Sequence, residues 1–208
     1  MSSATAPVRR DKSAKRDAII LIAKEIFLRE GYSATSMATI AAAVGGSKAT
    51  LYNHFPSKEE LFTAVVQEIC AGNALVFSTL DFESGDIRST LRRFGIAIAK
   101  KMLSDEMIAM HRLIAGEAAR FPFIGEAYYQ AGVQLGKQKL IDRFRAAIES
   151  GRLRKSDPLV AAQHFFELCI AGIYRRRLWN FGPQPTDAEI ETSVDAAVTA
   201  FMDGYSAK

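Results

Sequence analysis

The stretch SKATLYNHFPSKEELF, residues 47–62, decides how this chain is read. It sets small residues, two lysines, a tyrosine, an asparagine and a histidine at helical spacing. A core helix does not expose such a set. Ser47 is placed to cap a short helix over 47–54, with Leu51 and Phe55 turned inward. Pro56 breaks that helix. Ser57 and Glu60 then form an S-x-x-E capping box that opens a fourth helix from 58 to about 78.

Upstream, Ile19, Ile22, Ala23, Ile26 and Phe27 repeat at helix spacing and predict a first helix over 14–30, closed by Gly31. A second helix is expected from Thr35, its N-cap, to about Val44, with Met37, Ile40 and Ala41 inward. Gly45 and Gly46 form the turn into the third. Two short helices joined by a glycine turn, behind a longer first helix, make a helix-turn-helix. Its third helix carries Lys48, Thr50, Tyr52, Asn53 and His54 on a polar face suited to phosphate oxygens and base edges.

Composition agrees. The chain has 208 residues, 49% of them hydrophobic, and a net charge of +4. The charge is uneven: residues 1–58 hold nine Lys/Arg against four Asp/Glu, whereas residues 59–208 are close to neutral. The basic excess therefore lies with the helix-turn-helix and points to an acidic partner, nucleic acid or a membrane surface. No apolar run is long enough to span a membrane, and the apolar run AIILIA is too short for a signal peptide core. A cytoplasmic location is expected. Cys70 and Cys169 lie in apolar helical patterns and read as buried free thiols. Histidines 54, 111 and 164 have no metal-site spacing, and no nucleophile, base or metal set suggests an enzyme. No cofactor is expected.

Residues 31–62, GYSATSMATIAAAVGGSKATLYNHFPSKEELF, resemble the N-terminal DNA-binding domain of TetR-family regulators. The Leu-Tyr-x-His-Phe-x-x-Lys-x-x-Leu pattern over 51–61 carries most of the resemblance, which covers about residues 14–62. Gly46 stands where the family often has Val, and Ala49 where it often has Gly; both remain small enough for close approach to a DNA backbone. The resemblance implies DNA contacts from Ser36, Ser47, Lys48, Ala49, Thr50, Tyr52, Asn53, His54 and Lys58. Lys48 and Lys58, with Ser36, Tyr52 and His54, would meet phosphates. Thr50 and Asn53 would meet base edges.

The remainder reads as all-α, about nine helices in total. Helices are expected over 86–103, 105–120, 123–150 and 158–179, and from Thr186, which with Glu189 forms another capping box. Asp157 and Pro158 are a cap and a first-turn proline. RLIAGEAARFP and the ending TDAEIETSVDAAVTAFMDGY resemble the C-terminal domain of AefR-like members. Three regions follow: a disordered basic arm over 1–13, a DNA-binding domain over 14–57, and a ligand-binding and dimerisation domain over 58–208. The arm RRDKSAKR is a loose electrostatic tail or a minor-groove follower. Arg175, Arg176 and Arg177 spread round a helix and read as a solvated end near Glu189 and Glu191.

The helix 158–179 is apolar nearly all round, which asks for a partner on a second side. With the last helix it suggests a homodimer interface of Phe166, Ile170, Ile190, Val194, Val198, Phe201 and Tyr205. An apolar effector cavity is expected within the C-terminal domain. Its lining would be Val66, Ile69, Phe94, Ile98, Met107, Met110, His111, Ile114, Phe144, Phe165 and Cys169, with His111 the orienting polar group. The expected partners are double-stranded DNA, a second copy of the chain and a small hydrophobic or aromatic effector, neutral or weakly anionic. The expected function is a repressor released from an inverted-repeat operator by that effector. The alternative is a helix-turn-helix-derived adaptor that acts through protein–protein contact without DNA.

Overall fold

The computed structural model describes residues 6–71, 76 and 86–207. Among these the chain is all-α, with eleven α-helices and one π-helical segment. The first four helices are α1 (Ala6–Glu30), α2 (Met37–Val44), α3 (Lys48–His54) and α4 (Lys58–Ala71). After a gap in the description come α5 (Ile87–Leu103), α6 (Asp105–Glu117) and α7 (Pro122–Tyr128). The π segment Tyr129–Gln134 leads without a break into α8 (Leu135–Glu149). Last come α9 (Pro158–Ile170), α10 (Ile173–Leu178) and α11 (Asp187–Tyr205). None of the helices is long and apolar enough to cross a membrane, among the described residues.

Local chemistry sets most of the boundaries. Ser47, Asp86, Ser104 and Thr186 each accept a backbone N–H three residues on and open α3, α5, α6 and α11. Thr186 and Glu189 complete a reciprocal capping box. Asp157 caps α9, with Pro158 in its first turn.

Four boundaries differ from the sequence expectation. Helix α1 starts at Ala6, not at 14, so the basic stretch expected to be disordered is helical from there. Its Arg, Lys and Ala are good helix formers, and Pro7 sits in the first turn, where its missing N–H costs nothing. The N-cap of α2 is Ser36, one residue after Thr35; the Thr35 hydroxyl instead donates to the Gly31 carbonyl at 2.7 Å. The helix expected over 123–150 contains the π segment. The helix expected over 158–179 breaks at Ala171–Gly172, where Gly172 takes φ 75°, a backbone setting that excludes most side chains. The expected end of the fourth helix near 78 lies mostly outside the described residues.

Two apolar clusters form the core. The first joins Ile19, Phe27, Ile40, Leu51, Phe55 and Phe62 of α1–α4 to Met107, Met110 and Leu113 of α6. The helix-turn-helix therefore shares its core with a helix of the second half. The second cluster gathers Phe94, Phe144, Phe165, Val194 and Phe201 of α5, α8, α9 and α11.

This packing corrects the expected dimer face. Ile190, Val194, Val198, Phe201 and Tyr205 are buried within one chain, because α5 and α9 already pack against that stripe of α11. Tyr205 stacks on Phe201 at 4.4 Å and bonds the His164 imidazole at 2.7 Å. Of the arginine run, Arg175 is exposed and Arg176 lies near Glu189, as expected, but Arg177 is anchored. Arg177 pairs with Asp105, while Glu191 pairs with Arg92 and Glu189 serves its cap.

Candidate nucleic-acid interface and effector cavity

Helix α3 buries Leu51 and, at its C-cap, Phe55. The opposite side exposes Lys48, Ala49, Tyr52 and Asn53, where the pairs 48/52, 49/52 and 49/53 are three or four residues apart and so neighbours on one face. Tyr52 is 47% exposed although large and partly apolar. Ser36 and Ser47 are exposed, and both hydroxyls act first as caps, for Thr39 and Thr50. The Thr50 hydroxyl also lies 2.9 Å from that of Ser47, so Thr50 is half-buried and turned along the helix start. His54 is half-buried at the other end. The expected DNA set thus gathers at one surface, with Asn53 and Ala49 more forward than Thr50.

Lys58 departs from the set. Its ammonium donates to the Tyr32 and Thr35 carbonyls, both at 2.8 Å, and lies 4.1 Å over the Tyr32 ring. Burial lowers its pKa. Two of its three N–H donors thus tether the α1–α2 turn, so it projects less freely than Lys48. From the other side the Glu117 carboxylate accepts the Tyr32 and Ser33 N–H groups at 2.7 and 2.9 Å. Gly31 makes room for it: a Cβ there would stand 2.7 Å from Glu117 Oε1, and the residue has φ 87°. The turn that leads into α2 is therefore clamped by an ammonium from α4 and a carboxylate from α6. The sequence reading missed Glu117, and nothing in local periodicity marks it.

A cavity of about 570 Å³ lies among α5, α6, α7, the π segment, α8, α9 and α10. Of the eleven residues expected to line it, Ile98 and His111 do so. Val66, Ile69, Met107 and Met110 are buried in the first core cluster, and Ile114 packs against it. Phe94, Phe144, Phe165 and Cys169 are buried in the second. Their size and apolarity fill the core. Phe166 and Ile170, expected at the dimer face, line the cavity instead, together with Met102 and Leu140.

The cavity's polar end is His111. Its Nε2 lies 2.6 Å from the Tyr128 hydroxyl and its Nδ1 lies 2.8 Å from the Tyr174 hydroxyl. Burial lowers the His111 pKa to about 4, so the ring is neutral near pH 7. Burial also raises both tyrosines, which stay protonated. Tyr129, 48% exposed, and the exposed Glu167 stand at the solvent side. The wall rests on α4 through Gly132 of the π segment, whose Cβ, if present, would meet Cys70 Sγ at 2.7 Å. No group of three or more His, Cys, Asp or Glu is placed to hold a metal, among the described residues.

An exposed polar helix on a helix-turn-helix, sharing its core with an all-α second domain, defines a class of DNA-binding regulator. Comparisons narrow the class. Residues 19–65 match the model of bacterial regulatory proteins of the tetR family, and residues 89–207 match the AefR-like transcriptional repressor C-terminal domain. The chain belongs to the TetR family, with an AefR-like C-terminal domain. A TetR-family transcriptional regulator from Mesorhizobium loti superposes with a TM-score of 0.86 at 29% identity, covering 94% of this chain and 98% of that one. The Flavonoid-responsive Regulator FrrA superposes at 0.81 with 30% identity, over 93% and 98%. The chain spans about a quarter to a half of the length of the curated relatives it matches. The Escherichia coli repressor ComR is 35% identical over 98 residues, 47% of each chain. The Mycolicibacterium smegmatis activator FasR is 42% identical over 59 residues, 28% of this chain and 27% of FasR.

Proposed function

We propose that the chain is a transcriptional repressor that acts in the cytoplasm as a homodimer on an inverted-repeat operator and releases it on binding a small hydrophobic or aromatic effector. The observation that carries the DNA reading is the face of α3, where Lys48, Ala49, Tyr52 and Asn53 project clear of the core. Two such helices, one per protomer, would enter successive major grooves about 34–36 Å apart. Residues 14–57 form the DNA-binding unit, and residues 58–208 bind effector and partner. The partner face is moved from the buried stripe to the exposed sides of α9 and α11, where Val160, His164, Ala196 and Ala200 follow one another at helix spacing.

The effector is assigned to the cavity at His111. FrrA is described as flavonoid-responsive, which supports an aromatic effector here. Two struts would carry the signal. Helix α4 touches the cavity wall at Cys70 and tethers the α1–α2 turn through Lys58; helix α6 carries His111 and, six residues on, Glu117. Coupling of this kind requires a differential affinity of about 1–3 kcal/mol between two conformations.

The test is a mobility shift on sequences selected from genomic DNA. With roughly six to ten phosphate contacts per dimer, affinity should fall about a thousandfold or more between about 50 and 200 mM salt. Lys48→Ala should weaken all sequences alike, and Asn53→Ala should relax one base position by about 1–3 kcal/mol. Binding with no sequence preference and no salt dependence would leave the adaptor reading in its place.

A further inference from the structure

The polar end of the cavity has a property that neither the fold nor the family match assigns. A neutral imidazole has one N–H and one lone pair. One of the two phenols therefore accepts from His111, and the other donates to it. The accepting phenol keeps its own O–H free. The donating phenol has spent its proton and offers only lone pairs. Neither hydroxyl has another hydrogen-bond partner among the described residues. Both tyrosines and the histidine line the cavity. The array thus presents one donor and one acceptor, on opposite sides of a ring, where no single ligand atom meets both.

We propose that Tyr128, His111 and Tyr174 form the specificity element of the effector cavity, and that it selects neutral aromatic ligands carrying a carbonyl acceptor and a hydroxyl donor at separated positions. The inference rests on the reading of this cavity as the effector site. The tautomer of His111 decides which phenol donates, so a ligand binds in either sense along the array. A ligand with acceptors alone leaves the donating phenol's lone pairs facing lone pairs, whichever tautomer forms. Leaving such a buried group unmatched is more costly than the mean hydrogen bond is favourable.

Charge points the same way. Among the described lining residues there is no Lys or Arg, and Glu167 is the one charged side chain. Among these residues an anion would meet a carboxylate and two phenols. A lipophilic cation would find Glu167, but that carboxylate is exposed and screened by water. The remaining wall, Ile98, Met102, Leu140, Phe166 and Ile170, suits aromatic rings.

The experiment is calorimetric titration of the purified full chain with four probes: para-hydroxybenzophenone, para-methoxybenzophenone, para-hydroxydiphenylmethane and tetraphenylphosphonium. The hydroxy ketone should bind about tenfold tighter than the methoxy ketone or the carbonyl-free phenol, the scale of one neutral hydrogen bond. Replacing both Tyr128→Phe and Tyr174→Phe should bring these ratios to near one while binding itself persists. A merely structural change would weaken all probes alike and keep the ratios. If the double variant fails to fold, the ratios on the unaltered chain still decide. Equal affinities for the three neutral probes, tighter binding of the phosphonium, or no binding of any probe would overturn the proposal. DNA binding is read on separate samples. Loss of the regulator reading would show there, while the probe preference stood.

Discussion

Glu117→Ala separates holding the DNA-binding unit from signalling to it. The carboxylate accepts two backbone N–H groups, at 2.7 and 2.9 Å, in the turn that leads into α2. Hydrogen bonds to a charged group contribute about 1.5–3 kcal/mol each when buried. Here the turn is partly exposed and water replaces part of the loss, so the variant should be about 2–3 kcal/mol less stable. For a chain of this size that is roughly a 5–10 °C fall in Tm. The larger effect should be on coupling. His111 and Glu117 are six residues apart on α6, about 9 Å along the axis, so the helix joins the cavity to the clamp. Without the carboxylate, Lys58 alone holds the turn from α4. The assay is fluorescence anisotropy on a selected operator, with and without a saturating cavity ligand. The unaltered chain should lose about 5–150-fold in DNA affinity on ligand binding. Glu117→Ala should bind DNA within a few-fold of the unaltered chain and keep its ligand affinity, yet lose most of that response. An undiminished response in a variant that binds both would refute the route through α6.

Three further outcomes follow from the same geometry. Lys58→Met should leave the salt dependence of DNA binding unchanged and lower stability by about 1–3 kcal/mol, because its ammonium serves carbonyls and not phosphates; thermal melts and salt titrations separate the two. Phe201→Glu should unfold the chain, since that ring is 1% exposed within one protomer, whereas Ala200→Glu on the exposed side should give a folded monomer by light scattering. His111 takes up a proton in the unfolded state below its ordinary 6.5 but in the folded state only near pH 4, so stability should fall as pH drops through that window. The loss is at most about 3 kcal/mol, and His111→Gln should flatten that part of a urea-midpoint profile against pH.

What could be read in the sequence was local. Ser47, Ser104, Asp157 and Thr186 mark helix starts because a cap is made within three residues of itself. Leu51 and Phe55 against Tyr52 and Asn53 give the orientation of α3 from spacing alone. What failed was long-range. Lys58 finds its carbonyls 23 and 26 residues away, and His111 finds its phenols 17 and 63 residues away. Amphipathic spacing shows that one side of α11 is apolar but not whether that side meets its own chain or another. The unbroken apolar pattern of 158–179 hid the turn at Gly172, which moves Tyr174 out of register with α9 and towards His111. That turn, and the π segment opposite it, are why the cavity lies where Phe166 and Ile170 line it, and not among the phenylalanines of the core.

The clamp on the α1–α2 turn follows from opposite charges taking opposite backbone groups. Lys58 can meet only carbonyls and Glu117 only N–H groups, so each fixes a different edge of the same turn. Their helices reach the cavity by different means. Helix α6 supplies a wall residue directly, while α4 touches the π segment in van der Waals contact at Cys70, where Gly132 leaves no side chain to yield. A packed contact of that kind does not compress, so a ligand that shifts the π segment must move α4 or be refused. If α4 moves while α6 is held by a ligand on His111, the two tethers pull on opposite edges of one turn. Ser36, which caps α2, begins one residue past it. A small relative displacement of the two struts would then reorient the helix-turn-helix, with no contact needed between an effector and the DNA-binding helix.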